Sequence, residues 1–217
     1  MDKLPAPRPN EDATLVARAR AGEPDAWREL YDGTYEPVYR YVHARIWDEA
    51  SAEDVAAEVF VAAVKGISRY RDRGKPILAW LFGIAAHAVA DHQRQVGRRR
   101  RLAERLWPVG RRGSRRTDDE AQLELVAISG EDDRLIQHLD LARAVNRLTA
   151  AQREVMTLRY FVGLETTEIG QIMDKDASAV YSLHARALVA LRGLLAENNS
   201  PSRDESRALR AISRVEA

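Results

Sequence analysis

The residues best suited to chemistry in this sequence are the arginines of one short segment. Ten arginines stand between positions 94 and 116, against a single acid, Glu104. Guanidinium groups at this density are typical of a surface that binds a polyanion, because each can hold a phosphate with two hydrogen bonds. From 117 to 133 the sign reverses, with seven acids and no lysine or arginine. The two blocks predict either a polyanion site beside a solvated linker or a flexible charged surface.

A second arrangement has the residue types of a metal site. His87 and Asp91 are four residues apart, which places them on one face of a helix, and Asp54 and Glu58 have the same spacing. Helical bundles that bind metals through such residues use paired Glu-x-x-His motifs, which this sequence lacks. It also has no cysteine, which excludes disulfides, thiolate metal sites and cysteine nucleophiles. We therefore expect no cofactor, no metal and no catalytic residue.

The elements that must position the charged residues are helices. Apolar residues recur at spacings of three and four along the chain, and strand signals are scarce. The pattern predicts a helix over 25–45 and another that begins at an N-cap, Ser51. A third helix is predicted from Ile77 to Gln95, closed by Gly97.

A second helical unit follows the charged segment. Thr149 and Gln152 have the spacing of a capping box at a helix start, and Asp176 is suited to cap the last long helix. A short helix and a tight turn precede Asp176, as in a helix-turn-helix. The fold class expected is all-α, with two small helical domains joined by a charged linker and the second ending in a helix-turn-helix. The boundaries expected are 11–101, a linker over 102–137, 138–196, and a tail over 197–217.

Three stretches, in order, resemble a bacterial RNA polymerase sigma factor of the sigma-70 family, of the extracytoplasmic-function (group 4) type. AEDVAAEVF, from Ala52 to Phe60, is similar to the family motif AED-x-x-QE-x-F. WLFGIAAH, from Trp80 to His87, with Asp91 and Arg94, is similar to WL-x-x-IA-x-N-x-x-x-D-x-x-R. The third stretch begins at Leu148 and ends in the last long helix. The three motifs together are far more specific than any one of them.

The resemblance implies a protein that binds core RNA polymerase and directs promoter-specific transcription initiation, without being an enzyme. The first motif lies on the family's polymerase-binding helix, so Asp54, Glu58 and Phe60 are expected to contact the coiled coil of the β′ clamp. Acids beside an exposed aromatic ring suit a basic partner. The other interpretation is a core phenylalanine flanked by solvated acids. Ala57 stands where the family usually has glutamine.

The resemblance also implies that the first domain captures and melts the −10 promoter element. An extruded base requires a pocket, a stacking surface and nearby cations. Trp80 either packs in the core or contributes to the DNA surface, and His87 replaces the family's usual asparagine. The residues expected at this surface are Arg71, Arg73, Lys75, Trp80, His87, Arg94 and Arg98.

The last long helix is expected to read the −35 element in the major groove. The residues expected to face DNA are Lys175, Ser178, Tyr181, Ser182, Ala185 and Arg186. Leu183, Leu188 and Val189 stand where the family more often has lysine, arginine or histidine, so phosphate affinity should be weak. Either tethering through polymerase compensates for this weakness, or the apolar residues bind a protein such as an anti-sigma factor.

The resemblance implies that the acidic segment 118–133 threads into the polymerase cleft, although a solubilising linker fits the composition equally well. The alternative function is a helix-turn-helix transcriptional regulator that acts without polymerase, which has no need of a melting unit. The N-terminus lacks a secretory signal, and no run approaches the ~18 apolar residues of a membrane span. We expect a cytoplasmic protein with no membrane insertion.

Overall fold

In the computed structural model, which describes residues 9–106 and 141–198, every regular element is helical. This agrees with the all-α prediction. The first unit has four helices, and a short 3-10 turn, Ile67–Arg69, follows the third of them. They are α1 Pro9–Arg20, α2 Pro24–Ile46, α3 Glu49–Gly66 and α4 Ile77–Leu106.

The second unit is shorter and ends in a helix-turn-helix. Its first helix, α5, covers 141–147. The next helix, α6, continues from Met156 into a π-helical turn, Thr157–Val162, which ends at Gly163 in the left-handed region. The remaining bounds are α6 Ala150–Met156, α7 Thr166–Met173 and α8 Ala177–Asn198.

The predicted end of α4 at Gly97 is wrong, because the helix continues to Leu106. Gly97 is buried within it. A glycine inside a helix costs about 1 kcal/mol relative to alanine, and the arginines, leucines and alanines that follow are good helix formers. Most of the arginine block therefore belongs to a helix, and the helix extends past the expected boundary at 101.

The predicted N-cap of α3 is also displaced. Asp48, not Ser51, caps the helix, and its Oδ2 accepts a hydrogen bond of 2.9 Å from the Ser51 backbone N–H. Hydrogen bonds from Ser51 hold the pKa of Asp48 below its usual value. Trp47 ends α2 with a φ of 62°, so the chain reverses early enough for α3 to begin at Glu49.

The capping signals of the second unit are confirmed. Thr149 Oγ1 accepts from the Gln152 backbone N–H at 3.3 Å, and Gln152 Oε1 accepts from the Thr149 N–H at 3.1 Å. Asp176 Oδ1 accepts from the Ala179 N–H at 2.7 Å. Each bond satisfies a backbone donor that a helix start would otherwise leave unpaired.

Apolar side chains from α2, α3 and α4 fill the core of the first unit. Leu30, Val38, Val59 and Leu81 are each at most 1% exposed. Burying a side chain of this size contributes about 1.5 to 3 kcal/mol relative to leaving it in water. The core of the second unit includes the fully or almost fully buried Val155, Leu158, Ile169, Val180 and Ala187.

The two units pack against each other, mainly between α2 and the π-helical turn. Arg45 of α2 forms an ion pair with Glu154 of α6, and the side chains are only 14% and 25% exposed. The rings of Trp47 and Phe161 meet edge to face, with centroids 5.5 Å apart. Lys75 Nζ lies 3.3 Å from Asp174 Oδ1, at the turn between α7 and α8. Two helical units were predicted from the sequence, but the packing of one unit against the other was not.

One helix within the described ranges, Ala177–Ala196, is long and apolar enough to cross a membrane. Its length and its composition are the two properties that meet this criterion. Val180 and Ala187 of this helix are buried against the rest of the second unit. The acidic segment 118–133 and the tail from 199 lie outside the described residues.

Candidate polymerase and DNA interfaces

The outer side of α3 presents the two acids of the first motif. Asp54 and Glu58 are both exposed, one helical turn apart. Ala57 and Val61 lie beside them, and Val61 is 53% exposed although it is apolar. We call this surface of α3, formed by Asp54, Ala57, Glu58 and Val61, the acidic face. It combines negative charge with apolar area, which suits a basic protein surface.

Phe60 does not belong to the acidic face. It is 7% exposed and points towards α2, so the expectation of an exposed aromatic ring is wrong. Its ring centroid lies 4.8 Å from that of Tyr31 and 6.1 Å from that of Tyr35. The physical reason is its position on the buried side of α3, four residues after Ala56 and eight after Ala52.

Three tyrosines form a row on α2 that was not predicted as part of a functional site. Tyr31, Tyr35 and Tyr39 follow a spacing of four, and their neighbouring ring centroids lie 5.1 and 6.0 Å apart. Tyr31 is 42% exposed, so the row is open to a partner. Partial burial is the main cause that raises the pKa of Tyr35 and of Tyr39. The regular spacing was the signal that could have identified this row.

Four of the seven residues expected at the −10 element come together around one cavity. The cavity has a volume of about 500 Å³ and lies where the loop after the 3-10 turn meets the start of α4. Arg69 and Tyr70 also line it and were not predicted. The lining residues from the expected set are Arg71, Arg73, Lys75 and Trp80.

Local hydrogen bonds fix the shape of the loop that carries these cations. Asp72 Oδ1 accepts from the Gly74 N–H at 2.8 Å, and Gly74 has a φ of 69°, a region that glycine enters without strain. At the start of α4, Asp12 Oδ2 accepts from the Ile77 N–H at 2.9 Å, so a residue of α1 satisfies this backbone donor of α4. The loop is therefore held at both ends.

Trp80 is half-buried, and its role at a DNA surface stays a prediction. Its ring is tilted on that of Tyr70, with centroids 5.1 Å apart, and it lines the cavity. A side chain at Gly66 would lie 3.4 Å from Trp80 Cζ2, so α3 and α4 approach closely here. Burial raises the pKa of Tyr70. Two aromatic rings among cations form a surface on which an extruded base can stack.

His87, Arg94 and Arg98 do not line the cavity, but they continue from Trp80 along one side of α4. From Trp80 to Arg98 this side extends about 27 Å, at 1.5 Å per residue. His87 Nδ1 lies 2.9 Å from the Gly83 carbonyl oxygen, and Arg94 forms an ion pair with Asp91. All three side chains are exposed, so a polyanion that enters the cavity could follow α4 towards the arginine block.

The turn of the helix-turn-helix is tight. Asp174 has a φ of 59°, and the Lys175 N–H donates to the Gly170 carbonyl oxygen at 2.9 Å. A Cβ atom at Gly170 would lie 2.6 Å from the Lys175 carbonyl oxygen, which only glycine avoids. This close approach fixes the angle between α7 and α8.

All six residues expected at the −35 element are exposed. Opposite them, Val180 and Ala187 are at most 2% exposed and hold α8 against α6 and α7. Leu183, where the family more often has a cation, is 8% exposed and therefore packs inside. The outward face of α8 includes Ser178, Tyr181, Ser182, Ala185, Arg186, Val189 and Arg192.

The metal arrangement considered from the sequence does not assemble. In the described part of the chain, no group of three or more His, Asp or Glu side chains is placed to hold a metal ion. Asp91 is paired with Arg94, and the acids of α3 point outward.

Comparison with known families matches both units. Residues 30–99 match Sigma-70 region 2, and residues 138–191 match Sigma-70, region 4. The first match covers α2 to α4, including the cavity, and the second ends within α8. Both matches agree in order with the three motifs found in the sequence.

Known proteins similar to this chain include sigma factors of two bacteria. The ECF RNA polymerase sigma factor SigD of Mycobacterium tuberculosis is 36% identical over 82% of this chain and 81% of that protein. The ECF RNA polymerase sigma factor BldN of Streptomyces coelicolor is 34% identical over 85% of this chain and 66% of that protein. The solved structure of CnrH in complex with the cytosolic domain of CnrY is also similar, with a TM-score of 0.54 and 24% identity. The match covers 87% of this chain and 99% of that chain, and it supports the fold.

Both family matches and the similarity to SigD, which covers 81% of that protein, agree with the helical units, the outward-facing α8 and the cationic cavity. The chain belongs to the sigma-70 family, in its extracytoplasmic-function group, as a sigma factor that binds core RNA polymerase and promoter DNA and directs promoter-specific transcription.

Proposed function

We propose that the first unit binds core polymerase through the acidic face of α3. The support is the exposure of Asp54 and Glu58 on one side of a helix whose opposite side is buried. Val61, 53% exposed, adds apolar area beside the acids, where Ala57 offers no polar contact. Opposite charges across such a surface steer association and select the partner, while the apolar area contributes affinity.

In the same proposal the cavity beside Trp80 receives a base of the −10 element. The observation that carries this is the convergence of Arg71, Arg73, Lys75 and Trp80 on one space of about 500 Å³. A nucleobase stacks on the aromatic rings of the first unit, while the cations hold the phosphates of the displaced strand. His87, Arg94 and Arg98 then contact the strand as it passes along α4.

The second unit, in this proposal, reads the −35 element with α8 after it separates from the first. The two promoter elements lie about 25 base pairs apart, roughly 85 Å at 3.4 Å per base pair. Lys75 and Asp174, each beside one of the proposed DNA surfaces, are 3.3 Å apart. The two units cannot reach both elements in this arrangement, so the contacts between them must break on the polymerase.

The proposal divides the chain into region 2 over 11–101, a linker over 102–137, region 4 over 138–196 and a tail over 197–217. The protein catalyses no reaction of its own, because binding, positioning and base capture are sufficient for its role. It acts in the cytoplasm, where polymerase and chromosomal DNA are found. An anti-sigma factor as a further partner stays a prediction.

Permanganate reactivity of unpaired thymines tests the −10 assignment. Holoenzyme reconstituted with this chain should make thymines reactive near −10, and Trp80→Ala should reduce that reactivity severalfold while polymerase binding persists. Tyr39→Ala, whose side chain does not line the cavity, is the aromatic control and should leave the reactivity high. Undiminished thymine reactivity in the Trp80→Ala holoenzyme would contradict the assignment of the cavity.

A further inference from the structure

The outward face of α8 is unusually apolar for a helix that meets DNA. Tyr181 is 64% exposed and Val189 is 70% exposed, and Ala185 between them is exposed as well. Arg186 and Arg192 are exposed cations on this side of the helix, and Arg186 Nε donates to the Ser182 carbonyl oxygen at 3.2 Å, which folds that side chain onto its own helix. Most of the area that this face offers to a partner is therefore uncharged.

The orientation of this face is fixed by the packing on the other side of α8. Val180 and Ala187 are buried, so the helix cannot rotate without exposing them. The Tyr160 hydroxyl lies 2.9 Å from His184 Nε2, and the two rings are stacked with centroids 5.6 Å apart. Tyr181 and Ala185 consequently remain on the outside, one helical turn apart.

The major groove of B-DNA offers one apolar group to such side chains, the 5-methyl group of thymine. The other groups that distinguish the base pairs there are hydrogen-bond donors or acceptors. An apolar side chain placed over one of these would take it out of water without supplying a partner, which is unfavourable. Apolar side chains at the groove floor therefore select thymine.

We infer that Tyr181 and Ala185 recognise thymine methyl groups within the −35 element. This inference rests on the proposed function of α8 as the −35 reader and goes beyond it, because it assigns the base chemistry that the helix reads. Four residues advance about 6 Å along a helix, and neighbouring base pairs are about 3.4 Å apart. The two thymines should therefore lie about two base pairs apart. Both residues lie within the first nine of α8, the part of a recognition helix that reaches base edges.

The first step of the test finds the preferred −35 sequence. Holoenzyme selects transcribed duplexes from a library randomised around −35, and the selected sequences should share two thymines at the expected separation. Each thymine is then replaced by deoxyuridine, which removes the methyl group and keeps every hydrogen-bonding group. Burial of one such carbon group corresponds to about a fourfold change in affinity, so each replacement should lower promoter binding by about three- to fivefold.

The second step assigns each methyl group to its reader. With Tyr181→Ser holoenzyme, the thymine-to-uracil ratio should fall to about one at a single position and stay unchanged at the other. Ala185→Ser should show the reverse. Tyr181→Phe keeps the ring, so it should keep the thymine preference at the position that the serine variant loses. A serine variant that merely weakened the fold would not change the ratio at one position alone.

The outcomes separate this inference from the function on which it rests. If base-pair exchanges near −35 reduce transcription but uracil replaces thymine without effect, α8 reads the element in another way and the inference is overturned. If no base pair near −35 affects transcription, the assignment of α8 to that element fails first. If uracil lowers binding equally in the wild type and in both serine variants, other residues read the methyl groups and the inference is again overturned.

Discussion

The Tyr41 hydroxyl of α2 donates to the Glu154 carboxylate of α6, whose oxygens lie 3.1 and 3.2 Å away. Arg45, one turn along α2, pairs with the same carboxylate, and its guanidinium carbon lies 4.2 Å from the centre of the Tyr41 ring. Tyr41 is 1% exposed, and this burial raises the pKa of its hydroxyl above the usual value. The hydroxyl therefore stays protonated and joins region 2 to region 4.

Loss of this contact should separate the two units without unfolding either. Glu154→Ala leaves the half-buried Arg45 and the Tyr41 hydroxyl without their acceptor, which should favour separation by about 1 to 3 kcal/mol.

The chain has no native cysteine, so Ala62→Cys and Gln171→Cys give one label on each unit. Energy transfer between the labels should fall in Glu154→Ala. Glu36→Ala breaks a pair with Arg40 inside α2 and should leave the transfer unchanged. Equal transfer in all three proteins would contradict the role of Glu154.

Charge reversal on the acidic face should abolish the polymerase complex. Asp54→Lys with Glu58→Lys places two cations against a basic partner, where like charges cost several kcal/mol, so affinity should fall more than about a hundredfold. The circular dichroism spectrum should not change, because both side chains are exposed. Asp32→Lys with Glu36→Lys has the same spacing on α2 and is the matched control. Binding of both double variants with equal affinity would refute the assignment of the acidic face.

The cap of α3 should contribute stability that depends on pH. Asp48→Ala removes the acceptor for the Ser51 N–H and should cost about 0.5 to 2 kcal/mol of unfolding free energy. Because the pKa of Asp48 is lowered in the folded protein, its ionised contribution is present above the ordinary value of about 3.9. That contribution is lost as pH falls through the folded pKa. The stability difference between wild type and Asp48→Asn, measured in urea, should shrink on acidification. A difference that stayed constant down to low pH would argue against this contribution.

The arginines of α4 should carry more of the electrostatic affinity for DNA than α8 does. Each phosphate contact adds about 0.7 to 0.9 to the slope of log affinity against log salt. Replacing Arg98, Arg99 and Arg101 with alanine should lower that slope in the holoenzyme by about 2 to 3, if each touches phosphate. Arg186→Ala should lower it by about 1 at most, since its guanidinium is turned towards Ser182. A larger loss in Arg186→Ala would make region 4 the main electrostatic anchor.

The features predicted correctly from the sequence are those that depend on residues close together in the chain, such as helix caps. Thr149 with Gln152 and Asp176 were recognised as caps because a helix start needs side-chain acceptors at fixed spacings. The outward residues of α8 followed from helical periodicity, which separates them from the buried Val180 and Ala187. The exposed position expected for Phe60 came from the family motif, whereas its spacing of four from Ala56 favoured the core interpretation that was also considered.

Features that depend on distant contacts were not predictable from this one sequence. Tyr41 and Glu154 are 113 residues apart, and nothing in either neighbourhood marks them as partners. The cavity needs Tyr70 from one element and Trp80 from another, with Ile172 of region 4 at its edge. The helix α4 continues past Gly97 because the burial of this residue offsets the low helix propensity of glycine.

Transcription from genomic fragments with purified core polymerase tests the central claim most directly. With this chain added, defined start sites should appear, and the fragments should share two sequence elements centred about 10 and 35 base pairs upstream. Core polymerase alone should produce none of these starts. If the chain adds no start sites and instead binds duplex DNA sequence-specifically without polymerase, it acts as an independent regulator, and its role in directing polymerase to promoters is contradicted.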